Sequence, residues 1–282
     1  NDGLWTLTDH TRLVNAGTLV NTGVLRNDGV IRNEGGRFEV GSDASVSGQG
    51  RYEQVGGHTQ VDGLLQAVRI ELHGGTLAGT GTLRSTASDE LVRINGEWGY
   101  AGLGLDGVTL RPGDGHGGVL TIEGALPSFA GAWSTLVIDL AGSGASGRLD
   151  LPGGLPPIDT VTFQLVDGYQ PRDGDAFTFL TGAASFYFNT VSILRLNQDG
   201  SSQAIGSPYW TSLDPGSAYL TLGSDPDLPR YAIWNTQGPS ATLHFANALA
   251  PVPEPSAAVL LALGMATLAW RRRSTTRAGA RQ

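Results

Sequence analysis

The chain has 282 residues, contains no Cys and no Lys, and all 18 of its basic residues are Arg. The absence of Cys excludes disulfides, thiolate metal sites and a Cys nucleophile from this chain. Thirteen of the Arg and all 26 acidic residues precede residue 271, so residues 1–270 carry a formal charge of about −13. An acidic body argues against nucleic-acid binding through phosphates and is compatible with a solvated extracellular surface.

A six-residue repeat runs through the first part of the chain. Asn15, Asn21, Asn27 and Asn33 each begin a unit of the form Asn-x-Gly-x-aliphatic-x. Asn and Gly supply turns, and the rest of the unit suits a short strand with one inward aliphatic side chain. Six residues are too few for a helical repeat, so the pattern predicts a β-solenoid of several short strands per coil, with simple hairpin turns as the alternative. In successive coils the Asn amides would hydrogen-bond to the backbone or to one another.

The later body continues as strands separated by Gly, Asp and Pro turns. Residues 38–83 resemble the β-helical passenger domains of autotransporters and haemagglutinin-type adhesins, and residues 110–185 resemble the C-terminal coils of autotransporter passengers. The resemblance implies an all-β fold: a right-handed parallel β-helix (β-solenoid) with a β-rich C-terminal cap, in which aromatic strands between residues 185 and 222 would cover the exposed end. One element of this region is expected to have a structural role in closing that end: Gly168, Tyr169, Pro171, Gly174, Asp175 and Phe177.

The last part of the chain has a different composition. A Pro-rich linker over residues 251–256 precedes an apolar run of fourteen residues, Ala257 to Trp270. As a helix the run would span about 21 Å, short of a hydrocarbon core of about 30 Å, and snorkelling Arg with interfacial Trp270 would make up part of the deficit. The pattern predicts a single short transmembrane helix, a buried core helix being the alternative. The Arg cluster that follows would keep the C-terminus cytoplasmic.

The order of these features resembles the PEP-CTERM protein-sorting signal. The resemblance implies that Pro253, Glu254 and Pro255 form the motif read by an exosortase. It assigns the membrane stop signal to three consecutive residues, Arg271, Arg272 and Arg273. It further implies export through the inner membrane, cleavage near the motif and transfer to the cell surface or to the exopolysaccharide matrix. The tail after the Arg cluster is somewhat longer than is usual for this signal.

Five segments follow from these patterns. We expect solenoid repeats over residues 1–125, C-terminal coils with an aromatic cap over 126–222, edge strands and a linker over 223–250, the sorting signal with its transmembrane helix over 251–273, and a cytoplasmic tail over 274–282. Because the chain begins at Asn1 without an initiator Met or a signal peptide, it reads as a fragment of a longer exported protein.

Few residues suggest chemistry. Gly102, Gly104 and Gly107 fit the spacing of a dinucleotide fingerprint, but no helix follows them to receive a pyrophosphate. The same stretch resembles a single calcium-binding nonapeptide of toxin-type β-rolls, which needs stacked neighbours. The histidines show no metal-ligand spacing: His10, His58, His73, His116 and His244. Two further groups are local features. The acid pair Asp225 and Asp227 indicates a solvated loop, and the threonines Thr76, Thr80 and Thr82 form a cluster too limited to indicate an ice-binding face.

These observations predict a non-enzymatic structural or adhesive protein of the bacterial surface or matrix, with no cofactor and no nucleic-acid partner. Its expected partners are an exosortase, the bacterial membrane through the C-terminal helix, and exopolysaccharide or other surface glycans. Two alternatives stay open: a polysaccharide-active enzyme built on a β-helix, and a glycan-, calcium- or ice-binding module.

Overall fold

The computed structural model shows a chain built from β-strands. It describes residues 1–87, 91–94, 97–100, 103–113, 117–124, 134–142, 145–152, 158–183, 188, 190–197, 199–205, 218–221, 230–236 and 240–246. Every regular element among these residues is a strand, so the all-β class is confirmed for them. A search of the same residues for a helix with the length and apolarity of a membrane span found none. The chain divides into two compact units, Asn1–Ala246 and Asn247–Gln282, and the second lies outside the described residues.

The described strands are short and have three to eleven residues each. In chain order they are β1 (Leu4–Leu7), β2 (Arg12–Asn15), β3 (Thr18–Asn21), β4 (Val24–Asn27), β5 (Val30–Val40), β6 (Ser45–Ser47), β7 (Arg51–Val61), β8 (Leu64–Ala67), β9 (Arg69–Leu72), β10 (Thr76–Gly79), β11 (Thr82–Ser85), β12 (Leu91–Ile94), β13 (Glu97–Tyr100), β14 (Leu103–Leu105), β15 (Thr109–Pro112), β16 (Gly118–Glu123), β17 (Ser134–Gly142), β18 (Ala145–Asp150), β19 (Ile158–Leu165), β20 (Ala176–Thr181), β21 (Thr190–Leu196), β22 (Ser202–Ala204), β23 (Ala218–Thr221), β24 (Arg230–Thr236) and β25 (Ser240–Ala246).

Two sets of strands pair in parallel along the body. The first ladder contains, in pairing order, β1, β4, β6, β8, β11, β16, β18 and β20. The second ladder contains β2, β3, β5, β7, β9, β10, β14, β15, β17, β19 and β21. The chain visits the ladders in turn, so each passage through both adds one layer.

The spacing between paired residues explains the repeat in the sequence. Arg12 pairs with Val30 in the second ladder, and Leu64 pairs with Thr82 in the first. Both pairs are 18 residues apart, which is three units of six. Each unit of the repeat therefore contributes one short strand, and three units return the chain to the paired position in the same ladder, one layer further on.

The core consists of inward side chains that alternate with outward ones along each strand. The inward positions of the second ladder align across strands, and those aligned positions in its later half are all buried: Leu77, Leu110, Leu136, Val161 and Val191. Nearer the N-terminal end, the rings of Phe38 and Tyr52 stack with their centroids 5.5 Å apart. Burial of these residues supplies the main favourable term in folding.

Buried amides align next to this core. We call Asn15, Asn33 and Gln54 the amide column, because they occupy the same register position in β2, β5 and β7. The Asn15 Nδ2 atom donates to the Asn33 Oδ1 atom at 3.0 Å, and the Asn33 Nδ2 atom donates to the Gly36 carbonyl at 3.1 Å. The Gln54 Nε2 atom donates to the Gly74 carbonyl at 2.6 Å. The predicted hydrogen bonding of Asn amides to one another and to the backbone is therefore confirmed here.

Glycine at the corners allows successive layers to approach closely. Gly57 has φ +77°, and a Cβ atom there would lie 2.2 Å from the carbonyl oxygen of Gly36 in the preceding layer. Any other residue would both strain the backbone and force the two corners apart. Two glycines of the six-residue units are packed in the same way, since a Cβ atom at Gly23 or Gly29 would lie 2.4 or 2.3 Å from a carbonyl oxygen of an earlier corner.

The pairing becomes antiparallel at the C-terminal end of the described body. Strand β25 pairs antiparallel with both β20 and β24, and β24 pairs in the same way with β23. In the second ladder, β22 folds back antiparallel on β21. The last parallel strand of each ladder is therefore covered by a strand of opposite direction, which blocks further parallel addition.

Candidate functional site

The predicted sorting residues lie outside the residues that the structure describes. This applies to Pro253, Glu254 and Pro255 and equally to Arg271, Arg272 and Arg273. Four further residues named from the sequence also lie outside the described residues: Gly102, His116, Asp225 and Asp227. The candidate site on the folded body must therefore come from other residues.

The histidines do not form a metal centre in the described part of the chain. The described histidines are spread over the fold. His244 is in β25, and the other three lie in separate parts of the N-terminal layers: His10, His58 and His73. Among the described residues, no group of three or more His, Asp or Glu side chains is placed to hold a metal ion.

The Tyr169 element forms a closed turn before β20. The Tyr169 hydroxyl donates to the Asp175 carboxylate, which also accepts the Arg172 backbone N–H at 2.7 Å. Burial, followed by this hydrogen bond, raises the pKa of the Tyr169 phenol. The ring packs edge-on against Phe177 at 5.9 Å, and the Gly174 N–H donates to the Phe245 carbonyl of β25 at 2.8 Å. The contacts of this element are those of a structural turn that holds β25 against β20.

Ion pairs cover the outward side of the early second ladder. The Arg32 Nη1 atom lies 3.0 Å from Glu53, and Arg51 Nη2 lies 3.2 Å from the same carboxylate. Arg69 pairs with Glu71 at 2.6 Å. Hydrogen bonds to Glu53 and Glu34 raise the pKa of Arg32. These carboxylates are engaged by neighbouring guanidinium groups, so this side suits solvation and alignment of the strands.

A depression of about 290 Å³ lies at the corner between β1 and β2. Its lining includes His10, whose φ of 66° is left-handed, and Asp28. The Gln49 backbone N–H and then the Arg26 side chain lower the pKa of Asp28 by hydrogen bonding. Because the Asp28 carboxylate already accepts hydrogen bonds from Gln49 and Arg26, it links two layers, and the depression is a structural contact between them.

A row of threonines crosses the outward side of the later second ladder. We define the threonine row as the five residues that pair in register from β10 to β21, namely Thr76, Thr109, Thr135, Thr160 and Thr190. Each immediately precedes one of the aligned buried aliphatic residues of the core, so each side chain is on the outer face. Neighbouring strands are spaced about 4.8 Å apart, so the row extends about 19 Å.

Most hydroxyls of the threonine row are available for an external partner. In the described part of the structure, Thr76, Thr109, Thr135 and Thr190 make no side-chain hydrogen bond. The Thr160 hydroxyl donates to Asp159 at 3.1 Å. A Thr hydroxyl offers one donor and two acceptor positions beside a methyl group. The row is thus a line of small amphipathic groups at a regular spacing.

An ion pair lies on the same outer face. Arg111 follows Thr109 by two residues in β15, and Asp139 follows Thr135 by four in β17, so alternation keeps both on the face of the row. The Arg111 Nε atom donates to the Asp139 Oδ2 atom at 2.8 Å. Asp139 is only 1% exposed, and its Oδ1 atom has no hydrogen-bond partner among the described residues. A buried acceptor without a donor is uncommon and costs free energy.

Comparison with known families identifies the C-terminal segment. Residues 251–273 match the model of the PEP-CTERM protein-sorting motif. The PEP-CTERM motif implies processing by an exosortase and export to the cell envelope or surface. Its position agrees with the sorting signal predicted from the Pro-Glu-Pro segment, the apolar run and the Arg cluster. Neither curated proteins nor solved structures gave a significant match to the chain, so the resemblance of the body to autotransporter passengers stays a prediction.

The threonine row is not among the features predicted from the sequence. The local cluster considered there does not form one row, because Thr76 is in β10 of the second ladder and Thr82 is in β11 of the first. The usable signal was a Thr directly before a core aliphatic residue in five different strands. Its intervals are irregular, since Thr76, Thr109 and Thr135 are separated by segments of unequal length.

Proposed function

We propose that this protein is a structural or adhesive component of the bacterial surface or of its exopolysaccharide matrix. The observation that carries the proposal is the PEP-CTERM motif at residues 251–273. An exosortase would read Pro253, Glu254 and Pro255 and release the body from its membrane segment. Arg271, Arg272 and Arg273 would stop translocation and keep the tail in the cytoplasm.

The body proposed to be displayed is a right-handed parallel β-helix with a β-rich C-terminal cap. Support comes from the two parallel ladders, which the chain visits in turn, and from the aligned core and amide column inside them. Further support comes from the antiparallel strands at the C-terminal end, which suit a cap. Such a scaffold exposes long rows of identical side chains, which favours binding to repetitive polymers.

A non-catalytic role is part of the proposal. Polysaccharide-cleaving sites need a pair of carboxylates free to exchange protons or to attack the sugar. Three outward acidic side chains of the second ladder are instead paired with Arg: Arg32–Glu53, Arg69–Glu71 and Arg111–Asp139. This pairing favours a structural use of the charges.

Fractionation of biofilm cells tests the function. The protein should be recovered from the matrix of a host that makes exopolysaccharide and be released into the medium by a host that lacks it. Replacing the motif through P253A, E254A and P255A should leave the protein in the inner membrane. Equal release from both hosts would contradict the matrix role, and normal sorting of the triple variant would contradict the motif.

A further inference from the structure

We infer that the open edge of the first layer of the body binds one more layer of the same six-residue repeat, supplied by the polypeptide on the N-terminal side of Asn1. The first layer consists of β1, β2 and β3. The added layer would pair in parallel with these strands and place an amide side chain in register with Asn15. It would extend the body and does not depend on the proposed matrix role.

The first step concerns the backbone of the three strands. Among the described residues, β1 pairs only with β4, and β2 and β3 pair only with β5. Gly3, Thr11 and Gly17 direct their carbonyl groups to the second layer, at 2.9, 2.9 and 2.7 Å from its N–H groups. The residues that alternate with these, Val14 in β2 among them, direct their N–H and C=O groups to the open side. Such a row of unpaired groups is a template for another strand.

The second step concerns the inward side chains of the same layer. Three of them pair in register with fully buried residues of the second layer: Trp5, Leu13 and Leu19. All three are only partly covered, and Trp5 is 36% exposed. Three columns of the core therefore reach the open edge with apolar surface still in contact with water. Aliphatic residues at the same positions of an added layer would cover that surface.

The third step concerns the direction of the buried amides. The Asn33 Oδ1 atom accepts from the Asn15 Nδ2 atom at 3.0 Å, and the Asn21 Oδ1 atom accepts from the Asn1 Nδ2 atom at 2.7 Å. The Nδ2 atoms of Asn33 and Asn21 each donate to a carbonyl group of the following layer. In both cases, therefore, the amide oxygen faces an amide that precedes it in the chain, and the amide nitrogen faces the layer that follows.

Asn15 follows this pattern but lacks the preceding partner. Its Nδ2 atom donates to Asn33 and to the Arg37 carbonyl, both in the second layer, so its Oδ1 atom faces the open side. Asn15 is only 7% exposed, and this oxygen accepts no hydrogen bond from the described residues. The described side chains do not enclose the atom, so a donor on an added layer can reach it. An Asn or Gln in register would supply that donor.

The geometry also selects the source of the layer. The first layer of a second copy has no free amide to offer, since its Asn15 Nδ2 atom already donates twice. The last described strands of both ladders are covered by antiparallel strands, so the other end of a copy does not fit either. A lipid surface would leave the edge N–H and C=O groups unpaired.

The same polypeptide fits the open edge. The Asn1 nitrogen lies 2.7 Å from the Val20 carbonyl oxygen, which is on the open side of β3, so the chain enters the first layer from that side. A single repeat layer cannot bury its apolar face alone, which favours a layer that is continuous with the body over a separate peptide.

The first test is the N-terminal sequence of the mature protein purified from the cells that make it, determined by mass spectrometry. The sequence should extend beyond Asn1 and contain Asn-x-Gly-x-aliphatic-x units. It should place an Asn or Gln 18 to 20 residues before Asn15, the separations of the two observed amide pairs. A mature chain that begins at Asn1, or whose preceding residues lack the repeat, would overturn the inference.

The second test measures the pairing itself. The Val14 N–H should exchange with solvent at least about tenfold more slowly in the mature protein than in chain 1–282, whose edge is open. Val14→Pro removes this N–H while leaving the pairing with β5, because the side chain is outward and 47% exposed. It should lower the urea midpoint of the mature protein and leave that of chain 1–282 unchanged. Val14→Ala retains the N–H and is the matched control, which should affect both proteins equally.

Equal exchange of the Val14 N–H in the two proteins, or equal midpoint shifts by Val14→Pro, would overturn the inference even if the repeat precedes Asn1. A dimer of the mature protein that dissociates in Val14→Pro would also overturn it and assign the edge to a second copy. Neither measurement depends on sorting or on retention in the matrix, so failure here leaves the proposed function intact, and failure of the fractionation experiment leaves this inference intact.

Discussion

At the scale of single residues, buried amides take the place of apolar side chains beside the core. Asn33 is fully buried, accepts from Asn15 and donates to carbonyl oxygens in its own corner and in the next layer. A buried amide is tolerated only when its donors and acceptors are satisfied, which fixes the position of the neighbouring layers. The amide column therefore specifies the register as well as contributing to stability.

Replacement of Asn33 tests this role. Asn33→Ala leaves the Asn15 amide and two backbone carbonyls without their partner, so we expect a loss of about 3 kcal/mol in the free energy of unfolding. The measurement is urea denaturation followed by circular dichroism. Asn197→Ala is the control, since the exposed Asn197 side chain donates to the Ser201 hydroxyl within a turn, and it should change stability by less than about 0.5 kcal/mol. Equal effects of the two variants would show that the amide column does not hold the layers.

At the scale of strands, the C-terminal pairing of β20 with β25 protects the end of the first ladder. His244 in β25 lies beside Ala176 of β20 and Ala232 of β24. Burial lowers the pKa of His244 below its ordinary value of 6.5. The unfolded chain therefore takes up a proton at a higher pH than the folded strand does.

This difference predicts a pH dependence. Stability should be full above about pH 6.5 and should decrease as the pH falls from there through the lower pKa of folded His244, because protonation then favours the unfolded state. The measurement is the unfolding midpoint between pH 8 and pH 5. His244→Gln should flatten the slope, while His73→Gln, at an exposed position after β9, should retain it. A slope that persists in His244→Gln would assign the effect to another group.

At the scale of the whole molecule, the features that could be predicted are those encoded locally. The Asn-Gly corner and the inward aliphatic residue fall within one six-residue unit, so the all-β class and the amide contacts followed from the repeat. Gln54 continues the amide column but lies 21 residues after Asn33, which breaks the period of six. The sorting motif is linear and needed no fold to be recognised.

The threonine row could not be predicted because its members come from distant parts of the chain. Between Thr76 of β10 and Thr109 of β15 the chain forms β11 and the β12–β13 hairpin before it returns to the second ladder. Such insertions change the interval between paired residues without changing the register. Only the strand pairing shows that these threonines share one face.

The mass of the intact protein recovered from the cell surface and matrix tests the central claim most directly. The account predicts a body that has lost everything after the Pro-Glu-Pro segment, with the apolar run and the Arg cluster absent. A full-length chain in that fraction, still carrying residues 257–282, would contradict it.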